Sequence, residues 1–230
     1  SLLGLVALWL AGRVAVAFSA EIGWAVAAVI DCAFLLAVAL SAAVEIVAGR
    51  NWRNLKVVVP VSVLFLANAA FHLESHFEGI SDVSRRLGIA AAIALITIIG
   101  GRIIPSFTRN WLVRKNPGRL PVPFNKLDAA IIIFSVLALA LWTFAPESDA
   151  TGWLMVVASG LNVLRLGRWA GERTLRDPLV TVLHVAYLFI PVGFLLAGLS
   201  ALLPGSVPAV AGLHAFGVGA VWSPKAYALG

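Results

Sequence analysis

Long apolar runs recur down the whole chain, and the polar stretches between them alternate in charge. Eight runs reach, or nearly reach, the roughly 20 residues that the hydrocarbon core of a bilayer demands. They lie at Leu2–Phe18, Ile22–Ala48, Lys56–Leu73, Leu87–Ile104, Leu127–Phe144, Gly152–Leu166, Leu179–Leu203 and Ala209–Leu229. In lipid each span must satisfy its own backbone, so continuous runs of this length predict helices. Barrel strands would be shorter and would alternate residue by residue. The expected fold is all-α, a polytopic transmembrane helical bundle of about eight spans, forming one membrane domain over residues 1–230.

The connectors carry the charge rhythm. Ser19–Gly23 holds only Glu21, whereas Gly49–Lys56 holds Arg50, Arg53 and Lys56. The third connector has Glu74, Glu78 and Asp82; the fourth, Arg102–Lys126, has Arg102, Arg109, Arg114, Lys115, Arg119 and Lys126. The fifth has Glu147 and Asp149, and the sixth has Arg165, Arg168, Arg173 and Arg176. Lys and Arg near span ends stay cytoplasmic, so the basic connectors and both termini are expected inside. Arg85 and Arg86 break the rhythm at the outer start of the fourth span, where they are expected to snorkel or to pair with Glu78 or Asp82. Pro117, Pro121 and Pro123 predict a stiff, non-helical fourth connector. Trp52, Trp111, Trp142 and Trp169 fall near span ends, as an interfacial belt would place them.

Composition sharpens this picture. Of 230 residues, 61% are hydrophobic and 12% charged, with mean hydropathy +0.97, far from a soluble domain. The net charge of +6 belongs to the short connectors and is explained by membrane topology, so nucleic acid is excluded as the partner and membrane lipid is expected. The sequence identifies no protein partner. Cys32 is the only cysteine, which excludes an intrachain disulfide, a CxxC pair, a CxxCH haem attachment and a thiolate iron–sulfur site. No GxSxG elbow or Walker-type loop occurs, and no signal peptide is recognisable. The chain starts with Ser1 inside an apolar run, so a fragment of a longer protein is expected.

Ionisable groups within spans cost roughly 2.5–3.5 kcal/mol each on insertion scales, and each one demands a reason. Arg13, Asp31 and Glu45 are such groups. Arg13 and Asp31 are candidates for an internal pair; the other uses are proton relay and ligand binding. The four histidines are the best cofactor candidates, because neutral imidazole ligates both metals and haem. His72 and His76 share a face if the third helix continues past Leu73, and Asn68, one turn before His72, is placed to orient its ring. His184 lies in the inner part of the seventh span and His214 in the outer part of the eighth. The segment Gly100–Leu112, GGRIIPSFTRNWL, predicts a bend or helix end at Pro105, with Arg102 near the inner interface. Arg102, with Thr108, Arg109 and Asn110, reads either as a membrane anchor or as a cradle for an anionic group such as a haem propionate, completed by Arg165 and Arg168.

That segment, followed by PVPF at Pro121–Phe124, resembles the central signature of the NnrS family. Other pieces fall in the family's order: LWLAGR at Leu8–Arg13, Asp31, RNWRN at Arg50–Asn54, ANAAFH at Ala67–His72, RLGRW at Arg165–Trp169, DPLVTVLHVAYLFIPVGFLLAG at Asp177–Gly198 and HAFGVGA at His214–Ala220. The resemblance covers the chain up to about Ala220. It implies a multi-pass protein of the bacterial inner membrane that carries haem and copper, has nitric oxide as its small-molecule partner, and stands among denitrification and nitrosative-stress functions. His72, His184 and His214 match histidines of the family pattern, and Arg102, Thr108, Asn110 and Trp111 match its central motif. The implied cofactor set is His72, His184, His214, Arg102 and Asn68, with His72, His76, His184 and His214 as the metal candidates. The family's opening HExxFGF-type motif is absent, and VWSPKAYALG replaces its expected continuation after Ala220. A polytopic transporter without a redox centre, using Asp31, Glu45 and Arg13, is the alternative reading; a scaffold docking a partner on the Arg102–Lys126 connector is a third.

Overall fold

The computed structural model describes residues 2–220, and every regular element among them is helical. The order is α1 (Leu2–Ala17), α2 (Ser19–Ile22), α3 (Trp24–Ala48), a 3₁₀ turn (Trp52–Asn54), α4 (Leu55–Phe77), α5 (Asp82–Lys115), α6 (Lys126–Phe144), α7 (Asp149–Gly167), a second 3₁₀ turn (Gly171–Arg173), α8 (Pro178–Leu202) and α9 (Val210–Ala220). Among the described residues six helices are long and apolar enough to cross a membrane: α3, α4, α5, α6, α7 with the turn after it, and α8. The chain is a multi-pass helical membrane protein. The first expected span is the shorter, 16-residue α1. The eighth appears as α9, and its remainder, residues 221–229, lies outside the described residues.

The chain divides into two compact units, residues 1–92 and 93–230. In the first, α3 packs against α1 and α4. Ala15, Ala27, Ala39 and Ala67 are buried there, small side chains that let helices approach where lipid provides no hydrophobic drive. Val6, Leu10, Val29, Leu36, Leu40 and Val44 are exposed, the outward apolar surface that a membrane covers. The carboxylate of Glu74 accepts from the backbone N–H groups of Val83 (3.0 Å) and Ser84 (2.8 Å), capping the start of α5. Arg85 pairs with Asp82, one of the two partners expected from sequence.

In the second unit α8 packs between α7 and α9, and α6 packs on α7. The α7–α8 contact is tight: a Cβ on Gly152 would sit 3.2 Å from the Gly198 carbonyl oxygen. Asn125 and Asp128 form a reciprocal capping box at the start of α6, and Asp177 caps α8 just before Pro178.

Three expectations change. Gly100, Gly101 and Pro105 do not end the helix: α5 runs through them for 34 residues. Proline inside a transmembrane helix removes one hydrogen bond and crowds the carbonyl four residues back, and here that residue is Gly101, which has no side chain to add to the crowding. The helix stops instead before Pro117, so the non-helical connector shrinks to residues 116–125. Trp142 and Trp169 are core residues, packed edge-on against Phe216 and Tyr187; Trp52 is exposed.

Candidate functional site

Two buried polar clusters stand out, one in each unit. The first is organised by Asp31, 3% exposed on α3. Arg13 on α1 pairs with its Oδ1. Asn68 on α4 donates from Nδ2 to Oδ2 at 2.9 Å, and His72, one turn later, places Nε2 3.1 Å from the same oxygen. Gly12 makes this possible, because a Cβ there would sit 2.9 Å from Asp31 Oδ1 and 3.1 Å from its Cα. A carboxylate only accepts, so His72 donates to it through an Nε2–H. Asn68 was expected to orient His72 directly; it reaches Asp31 and, at 3.5 Å, Cys32 Sγ, so both side chains are aligned through the shared carboxylate.

The condition on α4 is met, since the helix continues to Phe77, yet His76 takes a different role from His72. Its exposed ring stacks on Trp24 at 4.1 Å between centroids and 16° between planes. Glu45 is exposed on α3 and takes no part in the Asp31 cluster.

The second cluster centres on Arg165, fully buried near the end of α7. Its Nε donates to Asp128 Oδ1 (3.3 Å), and its Nη1 donates to the Thr97 carbonyl (3.0 Å) and to Tyr187 Oη (3.1 Å). Tyr187 in turn donates to Asn162 Oδ1 (3.0 Å), whose Nδ2 donates to Ser135 Oγ (2.8 Å). The guanidinium lies over Trp169, 5.4 Å from the ring centroid. Arg168 Nη2 approaches Asp128 Oδ2 at 3.4 Å. Asp128 is the residue that sequence reasoning missed; NKLD after PVPF signals a capping box, but nothing in it signals an ion pair with Arg165.

His184 lies on α8, 8% exposed. Its Nδ1 is 3.0 Å from the Val180 carbonyl, which can only accept, so Nδ1 carries the proton and Nε2 the lone pair. The Thr108 hydroxyl lies 2.8 Å from the Ile104 carbonyl and 3.3 Å from Nε2, and its one proton serves either acceptor but not both. Gly171 leaves room for the ring, since a Cβ there would meet His184 Cγ at 2.8 Å. The histidine borders an open groove of about 350 Å³ with Val163, Leu166, Thr181, Val185 and Leu188.

The expected cradle is rearranged. Continuous helix through Pro105 sends Thr108 inward to His184 and leaves Arg109 and Asn110 exposed, while Arg102 lies half-buried with Phe124 6.0 Å from its guanidinium. His72 and His76 belong to the first unit; His184 and an exposed His214 belong to the second. Among the described residues no three His, Cys, Asp or Glu side chains converge as a metal site. His184 offers a haem iron one nitrogen, Nε2, which now faces the Thr108 hydroxyl, while a backbone carbonyl holds Nδ1. A copper site is not assembled among the described residues.

A family model described as NnrS protein matches residues 1–223. No curated protein matches the chain, and no solved structure does.

Proposed function

The chain belongs to the NnrS family, and on that premise we propose that it is a bacterial inner-membrane protein that binds haem and copper and serves in the response to nitric oxide. The cofactors and the nitric oxide are what membership of the family implies. The observation that supports haem in this chain is the oriented, buried imidazole of His184 beside an apolar groove.

Haem, when bound, would supply an iron centre able to take a small diatomic ligand. The chain's own residues would do the rest. Val180 holds the His184 tautomer through Nδ1, Thr108 would have to give up its approach to Nε2 for that nitrogen to bind iron, and Val163, Leu166 and Leu188 would give the site an apolar wall. His72 has the complementary arrangement, with Nε2–H on Asp31 and Nδ1 available as a donor to metal. For copper the described residues offer single ligands and no set, so no step is assigned to it.

The test is an absorption spectrum with metal analysis on the purified full-length protein in detergent, expressed with haem and copper supplied. A Soret band lost in His184→Ala is the expected result. Unchanged haem, copper and spectrum in His72→Ala, His184→Ala and His214→Ala together would overturn the ligand assignment.

The Asp31–His72 contact favours one other reading, a proton-coupled transporter without a redox centre. That reading requires uptake by metal-free protein that Asp31→Asn abolishes.

A further inference from the structure

In the second unit α5 and α8 leave an open apolar groove of about 330 Å³ between them. Gly100 and Ala186 are small and Tyr187 is buried, so these three make its floor. The larger, half-buried side chains of Ile99 and Leu183, with exposed Ile103, make its sides. The only polar side-chain group in the lining is the Tyr187 hydroxyl, and it is already bonded to Arg165 and Asn162. Whatever fills the groove is therefore held there by apolar contact, as a hydrocarbon chain would be.

The charge around the groove says which hydrocarbon. Gly100 lies at Tyr187 and Thr108 at His184, so α5 and α8 run antiparallel. The last turns of α5 and the first turn of α8 thus share one end of the unit. On α5 the stripe of Ile99 and Ile103 continues at helical spacing through Phe107 and Asn110 to Arg114. On α8 the stripe runs from Leu183 back through Leu179, and Arg176 stands just outside the helix. Phe107 and Leu179 are exposed apolar side chains, and they extend the groove toward the two arginines. At roughly 1.5 Å per residue, α5 rises about 22 Å from Ile99 to Arg114. That equals one leaflet, half of the roughly 40–45 Å that a bilayer measures with its headgroups.

Arg114, Lys115 and Arg176 are exposed at this end and make no ion pair among the described residues. The carboxylates near them are engaged: Glu172 pairs with Arg119, Asp177 caps α8, and Asp128 holds Arg165. The other end of α8 has the opposite sign, because Gly198 packs on Gly152, one turn from Asp149 at the start of α7.

We infer that this groove binds one acyl chain of an anionic phospholipid, whose phosphate is taken by Arg114 and Arg176. Gly100 and Ala186 give the chain its depth, and the arginines select the headgroup by charge. The site depends on the helical membrane fold alone and needs neither haem nor copper.

The experiment is native mass spectrometry of the delipidated full-length protein in detergent, titrated with an equal mixture of dioleoyl phosphatidylglycerol and dioleoyl phosphatidylcholine. The chains are identical, so any preference comes from the headgroup. The expected first lipid bound is phosphatidylglycerol, in several-fold excess and saturating at one molecule. Arg114→Gln and Arg176→Gln each lower that excess about fivefold. Arg109→Gln, on another exposed face of α5, leaves it unchanged. Gly100→Leu and Ala186→Leu fill the groove and weaken the first binding step for both lipids. Equal uptake of the two lipids by the parent overturns the inference, as does an undiminished preference in folded Arg114→Gln/Arg176→Gln. No saturable first lipid in the parent also overturns it, and is the result if another helix occupies the groove.

Discussion

Gly101 occupies the place where a side chain would collide with the guanidinium of Arg165: a Cβ on this glycine would lie 2.6 Å from Arg165 Cζ. Gly101 is therefore a seat. A Cβ on Gly100 would lie 3.5 Å from the Tyr187 ring, an ordinary contact, whereas Gly101 faces the cation that Tyr187 also binds. Gly101→Ala must push Arg165 off Asp128 and Thr97, and breaking such buried bonds costs about 2–4 kcal/mol. A lowered melting temperature in detergent checks this; an unchanged one would show that Arg165 is not held as described.

Asp31 and Glu45 sit on the same helix in opposite environments, one buried and bonded, the other exposed. Asp31→Ala removes an acceptor from Arg13, Asn68 and His72 together. Its expected cost is about 1–3 kcal/mol, softened because half-exposed Arg13 can reach the interface. Glu45→Ala is expected to stay within about 0.5 kcal/mol. Parallel melts of the two variants decide the matter, and equal losses would refute the contrast.

Two glycines of the α7 region separate room from strain. Gly160, inside α7, has open space where a Cβ would go, so Gly160→Ala is expected to stabilise by about 0.5–1 kcal/mol through helix propensity. Gly171 faces the His184 ring, so Gly171→Ala displaces that imidazole. In haem-loaded protein the second variant shifts or loses the Soret band and the first leaves it in place. A shift of equal size in both would argue that His184 is not the ligand.

Arg173 gathers the non-helical stretch after α5. Its Nη2 donates to the carbonyls of Asn116 and Pro117, each at 3.0 Å, and Nη1 donates to the Arg119 carbonyl. Arg173→Ala is expected to release residues 116–125, raising amide exchange and proteolysis there many-fold with little change in global melting. Exchange measured peptide by peptide would reveal it; protection equal to the parent's would show that the prolines alone hold the segment.

Much of the fold was legible because its causes are local. A long apolar run in lipid has no option but a helix, whichever neighbours it meets. The Arg13–Asp31 pair was legible for a related reason: a charge inside an apolar run needs a partner, and few were available. Other contacts were not legible. Asp128 lies 37 residues from Arg165 in sequence and reads as an ordinary residue at a span start. Gly101 and Pro105 carry the local signal of a break, yet α5 continues through them, with Arg165 packed against Gly101. Trp169 has the composition of an interface residue, but it is 1% exposed because Tyr187 and Arg165 enclose it.

The sequence by itself determined that this is a helical membrane protein, where its helices other than α5 run to within a few residues, and which family signature it carries, since all three depend on composition and order along the chain. Tertiary structure alone decided which ends of which side chains meet. His72 and His184 belong to one sequence pattern, yet they use opposite ring nitrogens, one bonded through Nε2 to a carboxylate and the other through Nδ1 to a backbone carbonyl. That outcome depends on the rotation and depth of neighbouring helices, which small residues such as Gly12 and Gly171 set by allowing close approach.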